Sequence, residues 1–171
     1  MKALDLSSTE YGEFYSGYIR QSGDKDLLSA LESGLEHTRT FFADIPDNKM
    51  DFAYDQGKWT IKELIQHLMD SERVFTYRAL RIARRDDTPL PGFDENHYVP
   101  ESRANSRTKE DLVQEYVLLR RSTIHLFRSF THDMLMQTGV ASESVISVRA
   151  IGFVIVGHEA HHLKVLEERY L

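Results

Sequence analysis

The sequence contains no cysteine. Disulfides, a protein thiol nucleophile and thiolate metal ligands are therefore excluded, and any transition-metal site must be built from imidazole and carboxylate. Proline is nearly as scarce: Pro46, Pro89, Pro91 and Pro100 are the whole set, which leaves long stretches where helices can propagate. Positive charge is in deficit, with 21 Lys and Arg against 27 Asp and Glu, a formal net charge of -6. With both signs mixed along the chain there is no basic face for phosphates, so no nucleic-acid partner is expected. Long apolar runs are missing too. The longest, Ile151 to Val156, is interrupted by Gly152 and far too short to span a bilayer, and the opening MKALDLSSTEYGEFYSGYIRQ has no apolar signal core. A soluble cytoplasmic protein with no membrane partner is expected.

What is present is helical. At 171 residues and 41% hydrophobic content the chain has the size and apolar mass of one domain, 1–171. Leu27, Leu28, Leu31, Leu35, Phe41 and Phe42 predict a first long helix over Asp24 to about Asp44, ended by Pro46. Thr60, with Glu63 completing a capping box, opens a second through about Arg85. Thr108, followed by Glu110 and Asp111, opens a third carrying Leu112, Tyr116, Leu119, Ile124 and Phe127, and a fourth runs from Val148 to Tyr170. A short helix is expected over Thr9 to Tyr18. The segment DDTPLPGFDENHYVPESRANSR reads as a loop, long enough to be functional or a lid, and Met134 to Ser147 as irregular chain. With no convincing strand, these elements predict an all-α, up-down four-helix bundle with a short extra N-terminal helix. Bundles of this kind place metal and cofactor sites between facing helices.

The last predicted helix carries His158-Glu159-Ala160-His161-His162, which satisfies the H-E-x-x-H pattern of zinc proteases. At about 100° per residue, His158 and His162 differ by about 40° and share the inward stripe of Ile151, Ile155 and Leu166. A protease would need a third ligand downstream, but only LKVLEERYL follows, and a same-helix residue more than a turn past His162 cannot close around the same ion. The protease reading fails on geometry. The third ligand must come from another helix, and His67 is the candidate, on a stripe with Leu64, Ser71 and Val74. Three histidines and an open position make a catalytic type of metal site. His37, His125 and His132 stand singly and read as structural or solvated.

Around this trio the sequence offers further candidates. Glu159, the residue after the first histidine, is the candidate general base, set against a solvated helix-surface glutamate. Asp70, one turn after His67, is placed to orient an imidazole or to pair with Arg73 or Lys62. Arg78, three turns past His67 on nearly the same face, needs an anionic partner from the bundle or from a substrate. His97 sits in the long loop within reach of a substrate, His161 flanks the ligand pair, and Trp59 reads as a staple at the bundle end.

The stretch KWTIKELIQHLMDSERVFTYRALRIARRDDTPLPGFDENHYV, with SVRAIGFVIVGHEAHHLKVLEERYL at the C-terminus, resembles the DinB-like superfamily, including the YfiT-type metal-dependent hydrolases. The resemblance implies a four-helix bundle holding a divalent cation, nickel or zinc foremost with manganese or iron as further options, on residues matching His67, His158 and His162. It also implies homodimers, a small-molecule substrate, and in several members a low-molecular-weight thiol cosubstrate. The expected activity is thus hydrolysis by metal-activated water or transfer to a metal-bound thiol. The competing reading is a stress-associated metal-binding or scaffold protein without turnover.

Overall fold

The computed structural model describes residues 1–171. Its α-helices are α1 (Ser16–Gln21), α2 (Leu27–Asp44), α3 (Ile61–Ala83), α4 (Glu95–Glu101), α5 (Lys109–Arg128), α6 (His132–Leu135) and α7 (Val148–Arg169), and its strands are β1 (Thr138–Ala141) and β2 (Ser144–Ser147). Each long helix starts at a side-chain cap that satisfies an otherwise orphaned backbone N–H. Asp26 accepts from the Ser29 amide, Thr108 from Asp111 and Ser147 from Ala150. Thr60 and Glu63 form the reciprocal capping box of α3, with bonds of 3.2 and 2.8 Å.

The four long helices form the bundle. α3 packs against α5 and α7, and α2 packs against the same two helices from the opposite side, so α2 and α3 face each other across the diagonal. Residues 45–60 make that connection, long enough to cross the end of the bundle where a tight turn would force the two helices side by side. The core runs through Phe42, Ile65, Met69, Leu112, Tyr116, Phe153 and Val154, all fully or almost fully buried. α7 is apolar on nearly every face because α1, α2 and α3 all pack on it.

Three segments depart from the sequence-based expectation. The N-terminal helix begins later, at Ser16, after 3-10 turns at Ser8–Glu10 and Glu13–Tyr15. Glu10 is drawn out of any continuous helix by Arg149, whose Nε donates to it at 2.8 Å, and by the Ser147 hydroxyl at 2.8 Å. The long loop contains the two-turn helix α4, started by the Asp94 cap. Finally, the region expected to be irregular forms an antiparallel hairpin, Thr138 pairing with Ser147 and Ala141 with Ser144. The hairpin is held from a distance: Leu90 donates its amide to the Val140 carbonyl and accepts from the Ser142 amide.

Candidate metal centre

His67 on α3 and His158 and His162 on α7 converge between those helices, one ligand nitrogen from each lying within 4.8 Å of the others. The Nε2 atoms of His67 and His158 are 3.1 Å apart, as are those of His158 and His162. A tetrahedral zinc ion bonded at 2.0–2.1 Å to each nitrogen would hold them about 3.4 Å apart, so the donor set matches such an ion with little adjustment. Burial pushes His67 down to about 4 and His162 down to about 3, the facing His67 and His161 adding to the effect on His162. His158 lies well below its ordinary value, again chiefly through burial. Near pH 7 all three are neutral, the form in which imidazole coordinates a metal.

Neutral imidazoles leave a problem without an ion. The Nε2 of His158 faces two other nitrogens but can donate at most one proton, and His162 Nδ1 is buried with no hydrogen-bond partner. The residues fit a divalent ion: His67, His158 and His162 would hold it as lone-pair donors, which would remove the first difficulty.

The cluster lies at one wall of a cavity of about 470 Å³, within the range of small-molecule sites. α1 forms part of the adjoining wall, through Tyr18. Its approach is permitted by Gly157, where a Cβ would lie 1.8 Å from the Tyr18 carbonyl oxygen. The Tyr18 ring thereby meets the His158 and His161 rings edge-on, with centroids 5.2 and 5.6 Å away. Trp59 lies against His67 at 4.7 Å, its carbonyl accepting a bond from the Tyr170 hydroxyl at 2.8 Å. Trp59 is therefore part of the cavity wall rather than a simple staple at the bundle end.

The remaining candidates separate. His161 is half-buried beside Tyr18 and His162, flanking the trio. Arg78 is 3% exposed and lines the cavity. Asp70 and His97 do not: both lie on an outer groove with Tyr98, and His97 is exposed on α4. Asp70 accepts from Gln66 Nε2 at 2.9 Å and pairs with Arg73 at 3.5 Å, so it orients no imidazole.

Glu159 requires the largest correction. It neither lines the cavity nor sits in solvent, but is 4% exposed on another side of α7. Tyr116 donates to it at 2.5 Å and Arg120 Nη1 at 3.1 Å. Arg120 also grips Glu72 through Nε and Nη2 at 2.9 and 2.8 Å, and Thr123 donates to Glu72 at 2.6 Å. Gly34 leaves room for this network, since a Cβ there would meet Glu159 Oε1 at 2.7 Å. A carboxylate engaged in this way is unavailable as a base at the histidines. Glu72 and Arg120 went unread in the sequence, because nothing local distinguishes them from helix-surface residues, and Tyr116 was legible only as part of the apolar stripe of its helix.

A four-helix bundle with three inward imidazoles at a cavity defines a class of metal-site bundle proteins. The chain belongs to the DinB superfamily, whose family model matches residues 30–166. It is 28% identical over 147 residues, 81% of this chain and 80% of the other, to a protein of Oceanobacillus iheyensis named "Putative metal-dependent hydrolase OB0413". It is 25% identical over 171 residues, 95% of both chains, to a "Putative metal-dependent hydrolase" of Bacillus pumilus. Among solved structures its fold is similar to that of Bacillus subtilis YfiT, described as "a probable metal-dependent hydrolase with an unusual four-helix bundle topology". That match has a TM-score of 0.74 at 19% identity and covers 83% of this chain and 82% of that one. No helix is long and apolar enough to cross a membrane.

Proposed function

We propose that the protein is a metal-dependent hydrolase of a small-molecule substrate, with a divalent cation held by His67, His158 and His162. The observation that carries this reading is the convergence of three imidazole nitrogens at the wall of a ligand-sized cavity, with no carboxylate or fourth histidine in the group. Three protein ligands beside a cavity suit a site that keeps a position for chemistry, whereas structural zinc sites are closed by four. Imidazole donors suit zinc, nickel and iron, and the family resemblance puts nickel or zinc first, with manganese or iron as further options. The ion supplies Lewis acidity, acidifying water or a thiol and polarising a substrate oxygen. The names of the two sequence relatives support the hydrolytic assignment.

The chain's own contribution is positioning and exclusion of water. Tyr18 and Phe75 pack edge-on against His158, and Trp59 lies against His67, fixing ring orientation. Transfer to an external low-molecular-weight thiol is the second reading, favoured by the complete absence of cysteine from a chain with such a site. The DinB-like resemblance adds a homodimer, which light scattering of the purified protein tests.

Elemental analysis of protein purified without a metal-affinity tag tests the site. About one equivalent of a divalent metal is expected, lost in His67→Ala, His158→Ala and His162→Ala. Ester and amide hydrolysis should then follow metal content. No metal after reconstitution with zinc, nickel and manganese would overturn the reading.

A further inference from the structure

The bundle buries three arginines deeply, and two are matched by carboxylates. Arg120 is held by Glu72 and Glu159, and Arg149 by Glu10. Arg78, at 3% exposure, has no carboxylate within ion-pair distance. Its Nη2 donates to the Pro91 carbonyl at 2.7 Å and to Ser142 Oγ at 2.9 Å, while Nε and Nη1 make no hydrogen bond within the protein. Burying a guanidinium against neutral oxygens alone is costly, and such a charge ordinarily finds an anion. Here the group lines the same cavity as the three histidines.

The surroundings hold the guanidinium there deliberately. Ser142 and Glu143 form the hairpin turn with φ of 50 and 63°, a left-handed conformation that neither residue favours. Backbone strain of this kind persists where surrounding contacts enforce it and gathers at ligand sites. The Ser142 hydroxyl of this turn and the Pro91 carbonyl both accept from the same nitrogen, Nη2, which leaves the Nε–Nη1 edge free. Ser71, between His67 and Arg78 along α3, adds a buried hydroxyl in the cavity wall with no hydrogen-bond partner.

We propose that Arg78 is the anion-recognition residue of this cavity, and that the ligand is an elongated monoanionic carboxylate with an apolar body. Its carboxylate meets the free edge of Arg78, its body lies along Phe75 and Phe93, and its other end reaches the histidines. The Cα atoms of residues 67 and 78 are about 16 Å apart by helix rise, and arginine leans back toward the helix N-terminus, so one extended molecule spans the two groups. Glu95 lines the same cavity and repels a second negative charge, which selects a carboxylate over a phosphate dianion. The placement of the reacting end rests on the hydrolase reading, but anion capture by Arg78 does not.

Calorimetry on the full-length protein, as purified and after chelation, tests this with 3-phenylpropanoate, its neutral amide, and 2-phenylethyl phosphate. The carboxylate should bind at least tenfold tighter than the amide and tighter than the phosphate, with or without metal. Arg78→Gln should abolish the difference and Arg78→Lys retain part of it, while His162→Ala leaves it intact in the chelated protein. In the wild type, the Arg78 Nε–H resonance should shift on titration with the carboxylate, a readout that does not depend on any variant folding. Equal binding of acid and amide, no binding of either, a preference that survives in Arg78→Gln, or one seen only with metal would each overturn the proposal. None of these outcomes alters metal stoichiometry, so the two readings fail separately. Tighter binding of the phosphate would overturn the carboxylate assignment.

Discussion

His158 and Glu159 are adjacent in the chain and about 100° apart on α7, and that turn sends them into different chemistries. The histidine was legible because helical phase alone places His158 and His162 on one stripe, and His67 on the inward face of α3. The glutamate was not, because its role depends on Arg120 and Tyr116, contributed by another helix. Glu159→Gln should therefore keep metal stoichiometry yet lower stability by about 3 kcal/mol, the range for breaking a buried ion pair on one side, as read by urea unfolding. Undiminished stability with lost turnover would restore Glu159 as the base. The histidines make a second prediction, for the metal-free protein. In the unfolded chain they take up protons below about pH 6.5, whereas folded His67 resists until about 4 and His162 until about 3. The unfolded state thus binds more protons in this window, and stability falls as pH drops from about 6.5 toward 4, by up to about 3 kcal/mol for each of these histidines. Above pH 6.5 the histidines contribute no slope. Unfolding curves of wild type and His67→Ala between pH 4 and 8 should diverge in slope only below 6.5.

Elements that declare themselves through local signals were readable, and those made by distant partners were not. Asp26, Thr60, Thr108 and Ser147 each cap a long helix, and the starts of α3 and α5 fall where the Thr60 and Thr108 caps put them, while that of α7 falls at the expected Val148. The hairpin of β1 and β2 has four-residue strands, too short for an alternation to register, and its turn is Ser-Glu where Asn-Gly would have announced it. Its anchor, Leu90, lies some fifty residues upstream. The environment of Arg78 was hidden for the same reason. The docking of α1 against α7 is equally nonlocal, resting on a missing side chain at Gly157. Gly157→Ala should push α1 away and withdraw Tyr18 from His158, costing at least about 1–3 kcal/mol, the usual penalty for overpacking. Hydrogen exchange should quicken across residues 13–21. Gly17→Ala is the control within α1, since a Cβ there meets nothing within 4 Å, and it should be neutral or slightly stabilising. Unchanged exchange in Gly157→Ala would mean that α1 is held by other contacts.

Taken as a whole, the molecule ties α3 to α7 in two ways. One is the buried network in which Arg120 of α5 bridges Glu72 of α3 and Glu159 of α7, a fixed set of charge-assisted bonds that demands one register of three helices. The other is the histidine cluster, which joins residues 91 apart in sequence and leaves His162 Nδ1 without a partner. The first is complete within the protein; the second becomes strongly cohesive only with an ion between the rings. Metal should accordingly stabilise the whole fold by mass action, about 2.7 kcal/mol at free metal one hundredfold above its Kd. For a chain of this size that corresponds to a rise in Tm of roughly 5–10 °C. The rise should track metal concentration and disappear in His67→Ala as completely as in His158→Ala or His162→Ala, because the two imidazoles left in each variant bind the ion too weakly to bias folding at the same metal concentration. His161→Ala should keep it. If His67→Ala retained the full dependence, the ion would be bound by the α7 pair without α3, and the three-histidine centre would have to be abandoned even if metal content were unchanged.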